Sequence, residues 1–159
     1  MKNCNKMVEP MYVKEYEICN KSARMFMFEI HTAPKPQKQT MQGLSYGGKK
    51  QFYDPSKLTK KHIQWQVRPH APKEPLVGAL EMHLTFYMPI PKHISGIERQ
   101  SMVNGVVKHY KRPDLDNLAY VVTNALKDIV YKDDSQICRL VLEKHYGEQP
   151  KTVIKVMEI

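Results

Sequence analysis

No apolar run in these 159 residues approaches the roughly 20 that a membrane-spanning helix needs. The opening MKNCNKMVEPMYVKEYE also lacks the apolar core of a secretory leader, so a cytoplasmic protein without membrane attachment is expected. Cysteine is scarce: Cys4, Cys19 and Cys138 are odd in number and lack CxxC spacing, which argues against a disulfide framework and a cysteine-based zinc site. The strand-like segments offer no aromatic face for stacking bases, which disfavours a single-stranded RNA-binding domain. Acid is nearly missing from one region. Between Lys21 and Lys73 eleven Lys and Arg residues face only Glu29 and Asp54, so this segment alone carries +9, the net charge of the whole chain. A basic part beside a balanced one suits a protein that neutralises phosphates with one surface and does chemistry with another. The plainer alternative, charge that only maintains solubility, fits the composition equally well.

The length and the 42% hydrophobic content suit one domain with a sizeable core, and no internal repeat is present. Residues 1–22 are polar without periodicity and read as an N-terminal extension, leaving 23–159 as the domain. RMFMFEIHT predicts a strand with Phe26, Phe28 and Ile30 on one face. The Pro-, Gly- and Lys-rich stretch that follows predicts a long basic loop, whose Lys35, Lys38, Lys49 and Lys50 are candidate DNA phosphate contacts. Gly43, Gly48 and Lys49 nearly fit a phosphate-binding GxxxxGK[ST] loop, but Lys50 replaces the hydroxyl residue and Pro55 interrupts before any helix.

Asp54-Pro55 predicts a helix start, with the helix running to about Val67. Leu58, Ile63, Trp65 and Val67 form its apolar stripe, with Trp65 as a core anchor, and Lys57, Lys60, Lys61 and Arg68 its basic side. ALEMHLTFYMPIP alternates cleanly and predicts a strand that buries Leu80, Met82, Leu84, Phe86 and Met88 and turns His83 to solvent. PKHISGIERQSMVNGVVKHYKR reads as a second irregular basic stretch, and ICRLVLEKHYG and TVIKVMEI as closing strands. The expected class is α/β (α+β): a single domain with a mixed β-sheet and two main helices packed on it.

The chain is organised around KHYKRPDLDNLAYVVTNALKDIVYKDDSQI, which carries two carboxylate pairs, Asp114 with Asp116 and Asp133 with Asp134. Pro113 disfavours helical angles at Arg112, so a helix begins only near Asp114. Leu118, Val121, Val122, Ala125, Leu126 and Ile129 then recur at helical spacing. Carboxylates among cations in a basic protein suit a hard divalent ion acting on a phosphate backbone. An aspartate at the start of a helix is also a common cap, and a lone Asp-Asp a common solvated turn.

Pro-Asp-x-Asp-Asn-Leu, a helix, Tyr-x-Asp-Asp-Ser-Gln-Ile, a strand with a lysine and a final hydrophobic strand together resemble the RusA family of Holliday junction resolvases, common in phages and prophages. The motifs match closely over residues 111–147 and more loosely over 25–159. The resemblance implies a RusA-like fold and a metal-dependent endodeoxyribonuclease that resolves four-way junctions by paired cuts in recombination and repair. It also implies a homodimer in a bacterial or phage-infected cell, using Mg²⁺ or Mn²⁺. It places the metal-binding, catalytic aspartates at Asp114, Asp116 and Asp134, with Asp133 the lesser neighbour, and DNA contact at Arg112 with Lys111 beside it. Two positions depart from the family: its catalytic lysine is Tyr120 here and a later helix acid is Asn124. The alternative is therefore a non-catalytic branched-DNA-binding protein of the same fold.

Chain length adds a constraint. A helix from about Asn117 to Ile129 spans roughly 20 Å, and the five residues on to Asp134 reach back only about 17 Å. Asp134 can barely return to its own Asp116. A composite site shared across a two-fold dimer, or a helix that breaks early, would relieve this.

Overall fold

A computed structural model describes residues 14–18, 21–38, 41–44 and 50–159. Among the described residues seven strands and three α-helices run in the order β1 (Lys14–Ile18), β2 (Lys21–Ile30), β3 (Met41–Leu44), β4 (Lys50–Tyr53), α1 (Lys57–Val67), β5 (Leu80–Pro89), α2 (Gly96–Val103), α3 (Leu115–Leu126), β6 (Ile137–Gly147) and β7 (Lys151–Glu158). The main sheet has the order β1-β2-β7-β5-β6. Its pairs are antiparallel except β5 with β6, which run parallel and so require the long crossover that α2 and α3 provide. β6 and β7 are joined by a short turn yet do not pair, because β5 lies between them.

The alternation in β5 is realised in full: Leu80, Met82, Leu84, Phe86 and Met88 are buried. They meet Phe26 and Ile30 of β2, Ile154 and Val156 of β7, Ile63 and Val67 of α1, and the apolar face of α3. α1 and α3 thus cover one face of the mixed sheet and form the core with it. α3 is the more deeply buried, with Leu118, Ala119, Val121, Val122, Thr123, Ala125 and Leu126 all inside. It ends at Leu126, before the expected Ile129, because Asp128 adopts φ 62°, a left-handed geometry that aspartate tolerates better than most residues. The chain then turns back, and the buried Tyr131 hydroxyl donates to Thr123 O at 2.7 Å.

The structure departs from the expectations at five places. Trp65 is 73% exposed and Leu58 is exposed as well, so α1 buries only Ile63 and Val67. The register of α1 against α3 chose a narrower stripe than the composition offered. The helix starts at Lys57, two residues late: Asp54 Oδ1 instead accepts from Ser56 N at 2.8 Å, closing a turn around Pro55. The loop after β2 contains a β3–β4 hairpin, pairing Met41 with Tyr53 and Leu44 with Lys50. The second basic stretch contains α2, started by Ser95, whose hydroxyl accepts from Glu98 N at 3.2 Å. Within the segment read as an extension, Lys14–Ile18 pairs with β2 as the sheet's edge strand.

Candidate active site at the start of α3

Backbone and lysine together set the approach to α3. Lys144 of β6 donates to Lys111 O at 2.8 Å and to Pro113 O at 2.7 Å, fixing the segment that ends in the cis Arg112–Pro113 peptide. Asp114 takes the N-cap position with extended angles (φ −71°, ψ 145°), but its side chain makes no capping hydrogen bond. Asp116 follows in the first turn. Both carboxylates are exposed, and neither takes a hydrogen bond or ion pair from any described residue. The cap explanation therefore does not account for them. Two unengaged carboxylates beside the positive end of a helix form a hard-oxygen donor set, the kind that Mg²⁺ binds.

The loop after β2 walls this site. Gln37 N donates to Asn117 O at 2.9 Å, and a groove of about 550 Å³ lies between Pro34, Pro36 and Gln37 on one side and Arg112, Pro113, Asp114 and Asn117 on the other. Gln37 Oε1 is buried in the fold without a hydrogen-bond partner among the described residues. Lys35 and Lys38 are exposed on this loop, and Lys111 and Arg112 on the approach to α3. Of the four only Arg112 lines the groove with Asp114, while Lys35 borders a separate cavity beside Leu58 and Ile63. Lys50 lies in β4 opposite Leu44. Lys49 lies outside the described residues, as do the 45–49 part of the GxxxxGK-like stretch and most of residues 1–22.

Asp133 and Asp134 occupy the other end of α3. Asp133 is committed to structure: its Oδ1 accepts from Ser135 N at 3.0 Å, Gln136 Oε1 accepts from Asp133 N at 3.0 Å, and Lys127 donates to its Oδ2. These donors, the Lys127 ammonium first, hold its carboxyl well below the usual range. Asp134 is less engaged, with Lys127 Nζ at 3.9 Å from Oδ1. Of the two it is the one free to bind something else.

Within one chain the two pairs do not meet. The twelve residues of α3 separate them by about 18 Å. An independent measure agrees, since Lys144, fixed at the Asp114 end, is seven strand positions beyond Ile137, or about 23 Å. No group of three metal-ligating side chains forms among the described residues.

Sequence reasoning missed the residues that brace this end. Asp54 Oδ1 also accepts from Gln37 Nε2 at 3.1 Å, and Asp54 Oδ2 accepts from Lys60 Nζ at 2.9 Å. The Lys60 ammonium, with the Ser56 amide, holds the Asp54 carboxyl below its usual range. Lys60 Nζ in turn lies 5.3 Å from the ring centroid of Tyr120. Ser56 Oγ accepts from Lys38 N at 2.8 Å, tying the basic loop to the start of α1. Spacing offers no signal for such a network, because its members run from Gln37 to Tyr120; Asp54-Pro-Ser is the one local hint.

A sequence model of the family described as endodeoxyribonuclease RusA matches residues 31–157. The chain belongs to the RusA family. The family is one of endodeoxyribonucleases, hydrolases of DNA phosphodiesters that act on Holliday junctions and generally depend on divalent metal. It is also similar to YqaN, an uncharacterized protein of Bacillus subtilis strain 168, at 29% identity over 136 residues, covering 83% of this chain and 95% of YqaN. No helix among the described residues of this RusA-family chain is long and apolar enough to cross a membrane.

Proposed function

We propose that this RusA-family nuclease resolves four-way DNA junctions as a homodimer with two composite sites. In each, Asp114 and Asp116 of one subunit and Asp134 of the other hold a divalent ion, Mg²⁺ or Mn²⁺. The observation that carries the reading is the pair of unengaged carboxylates at the start of α3, with the less engaged Asp134 a helix length away. A C2 dimer that runs α3 antiparallel to its copy would bring opposite ends together twice, giving two sites for paired cuts. Bound there, the ion supplies Lewis-acid polarisation of the scissile phosphate and acidifies a water.

The chain's own residues bind and orient the DNA. Arg112 and Lys111 flank the carboxylates and neutralise the phosphates that enter the groove. Lys35 and Lys38, with Lys49 and Lys50 of the same basic segment, hold the junction arms, so binding should weaken steeply with salt. On this reading the protein works in the cytoplasm of a bacterial or phage-infected cell.

The second reading, a junction-binding protein that does not cut, is favoured by Tyr120, 53% exposed where the family carries its lysine. Incubation with a labelled four-way junction and a matched duplex, in Mg²⁺, Mn²⁺ or EDTA, separates the two readings. Paired metal-dependent cuts in the junction alone support the resolvase; binding without cuts in either metal supports the other. Asp116→Asn should lower cleavage at least about 100-fold while junction binding in EDTA persists, because a metal ligand is lost and no structural hydrogen bond with it. An unfolded Asp116→Asn protein on circular dichroism would instead assign that residue to the helix.

A further inference from the structure

Lys60 is held unlike Lys35, Lys38, Lys57, Lys61 and Lys73 of the basic segment, which are exposed. Its side chain is only 20% exposed, its ammonium donates to Asp54 at 2.9 Å, and it sits over the Tyr120 ring. Tyr120 is one helical turn beyond Asp116 and therefore on the same face of α3. The contacts close a ring around the start of that helix. Asn117 O accepts from Gln37 N, Gln37 donates to Asp54, Asp54 accepts from Lys60, and Lys60 covers Tyr120. α1 thus delivers one restrained cation to the face of α3 that carries Asp116.

Such a site needs a cation. Three carboxylates and a phosphodiester outweigh a divalent ion, and the oxygens around phosphorus gain further negative charge as a water oxygen bonds to it. The P–O ester bond then breaks, and the water's proton ends on the leaving oxygen. A preorganised ammonium beside the developing charge stabilises that transition state without gaining or losing a proton itself.

We propose that Lys60 is a catalytic residue of this nuclease, contacting the scissile phosphate, and that Asp54 and the Tyr120 ring are its positioning partners. The inference rests on the reading of the Asp114–Asp116 pair as the cutting site. An ammonium has three N–H donors, and Asp54 engages one of them. Lys60 Nζ lies 5.3 Å from the ring centroid of Tyr120, the residue that stands where the family carries its lysine.

Single-turnover cleavage of a preformed junction complex tests this. Lys60→Met should cut about 100-fold more slowly than wild type, with junction affinity in EDTA changed by less than about threefold. Lys60→Arg should keep at least about a tenth of the rate, since it retains the charge and the Asp54 pairing. The double variant Lys60→Met/Tyr120→Lys should recover to within about tenfold of wild type, because the new amine leaves α3 one turn after Asp116. Cleavage by Lys60→Met within about threefold of wild type overturns the assignment while leaving the resolvase reading intact. A loss that Tyr120→Lys does not restore makes Lys60 a structural residue and also overturns it. A wild-type protein that cuts in neither Mg²⁺ nor Mn²⁺ removes the resolvase reading and this inference with it.

Discussion

Subunit mixing is the sharpest test of the composite site. Carboxylates sharing one Mg²⁺ each place an oxygen about 2.1 Å from it, so ligand oxygens lie within about 4.2 Å of one another. The twelve residues of α3 hold Asp114 and Asp134 of one chain about 18 Å apart, several times too far. If the partner supplies Asp134, Asp114→Asn and Asp134→Asn should each inactivate both sites of their own homodimers. A mixed dimer would concentrate both lesions in one site and leave the other intact. Random pairing at equal concentration makes half the dimers mixed, each with one working site, so about a quarter of wild-type sites should return. The assay is junction cleavage on a denaturing gel after co-refolding, with differently tagged subunits to verify exchange. Single nicks should dominate over paired cuts. Verified mixed dimers with no more activity than either parent would refute the reasoning and require a large rearrangement that closes the site within one chain.

Other outcomes follow from the same geometry. Burial works against the charge of Glu158, but hydrogen bonds from Arg24 and from Val77 N outweigh it and hold its carboxyl below the ordinary range. A folded-state pKa below the unfolded one gives stability above the ordinary glutamate pKa of about 4.3 that is lost as pH falls through the folded value. Glu158→Gln should therefore melt earlier than wild type at pH 7, and the gap should close in acid when followed by circular dichroism. Gly147→Ala should cost about 1–3 kcal/mol in urea denaturation, because its Cβ would stand 2.9 Å from Tyr87 Cβ on the neighbouring strand β5. Lys144→Met removes both hydrogen bonds that fix the approach to Asp114. It should slow cleavage about tenfold in a single-turnover assay and leave junction binding nearly unchanged.

Legibility varied with the range of the interactions involved. The β5 alternation and the α3 periodicity were readable because burial of one face imposes a period on neighbouring residues, and every core residue expected in β5 is inside. The start of α2 was readable in principle from Ser95 and Glu98, but a short helix within a Gly- and Lys-rich stretch gives weak periodicity. Trp65 was misplaced because hydrophobicity says which residues prefer burial, while the α1–α3 contact decides which obtain it. The site divided the same way. Asp114 and Asp116 stood out as a motif, whereas the choice between cap and free carboxylate depended on hydrogen bonds that spacing cannot supply.

The sequence by itself determined the helix that carries the carboxylates, the strands beneath it and the family to which they belong, because local periodicity and contiguous motifs are properties of neighbours along the chain. Chain length alone also opposed closing the site within one subunit, since backbone reach is fixed by covalent geometry. Only the tertiary structure decided which aspartate is spent on structure and which cation covers Tyr120. Lys127 and Gln136 engage Asp133 and leave Asp134 half-exposed, and α1 carries Lys60 across to Tyr120. Those pairings join residues from separate elements, and their partners are set by how α1, α3 and the sheet pack rather than by any pattern along the chain.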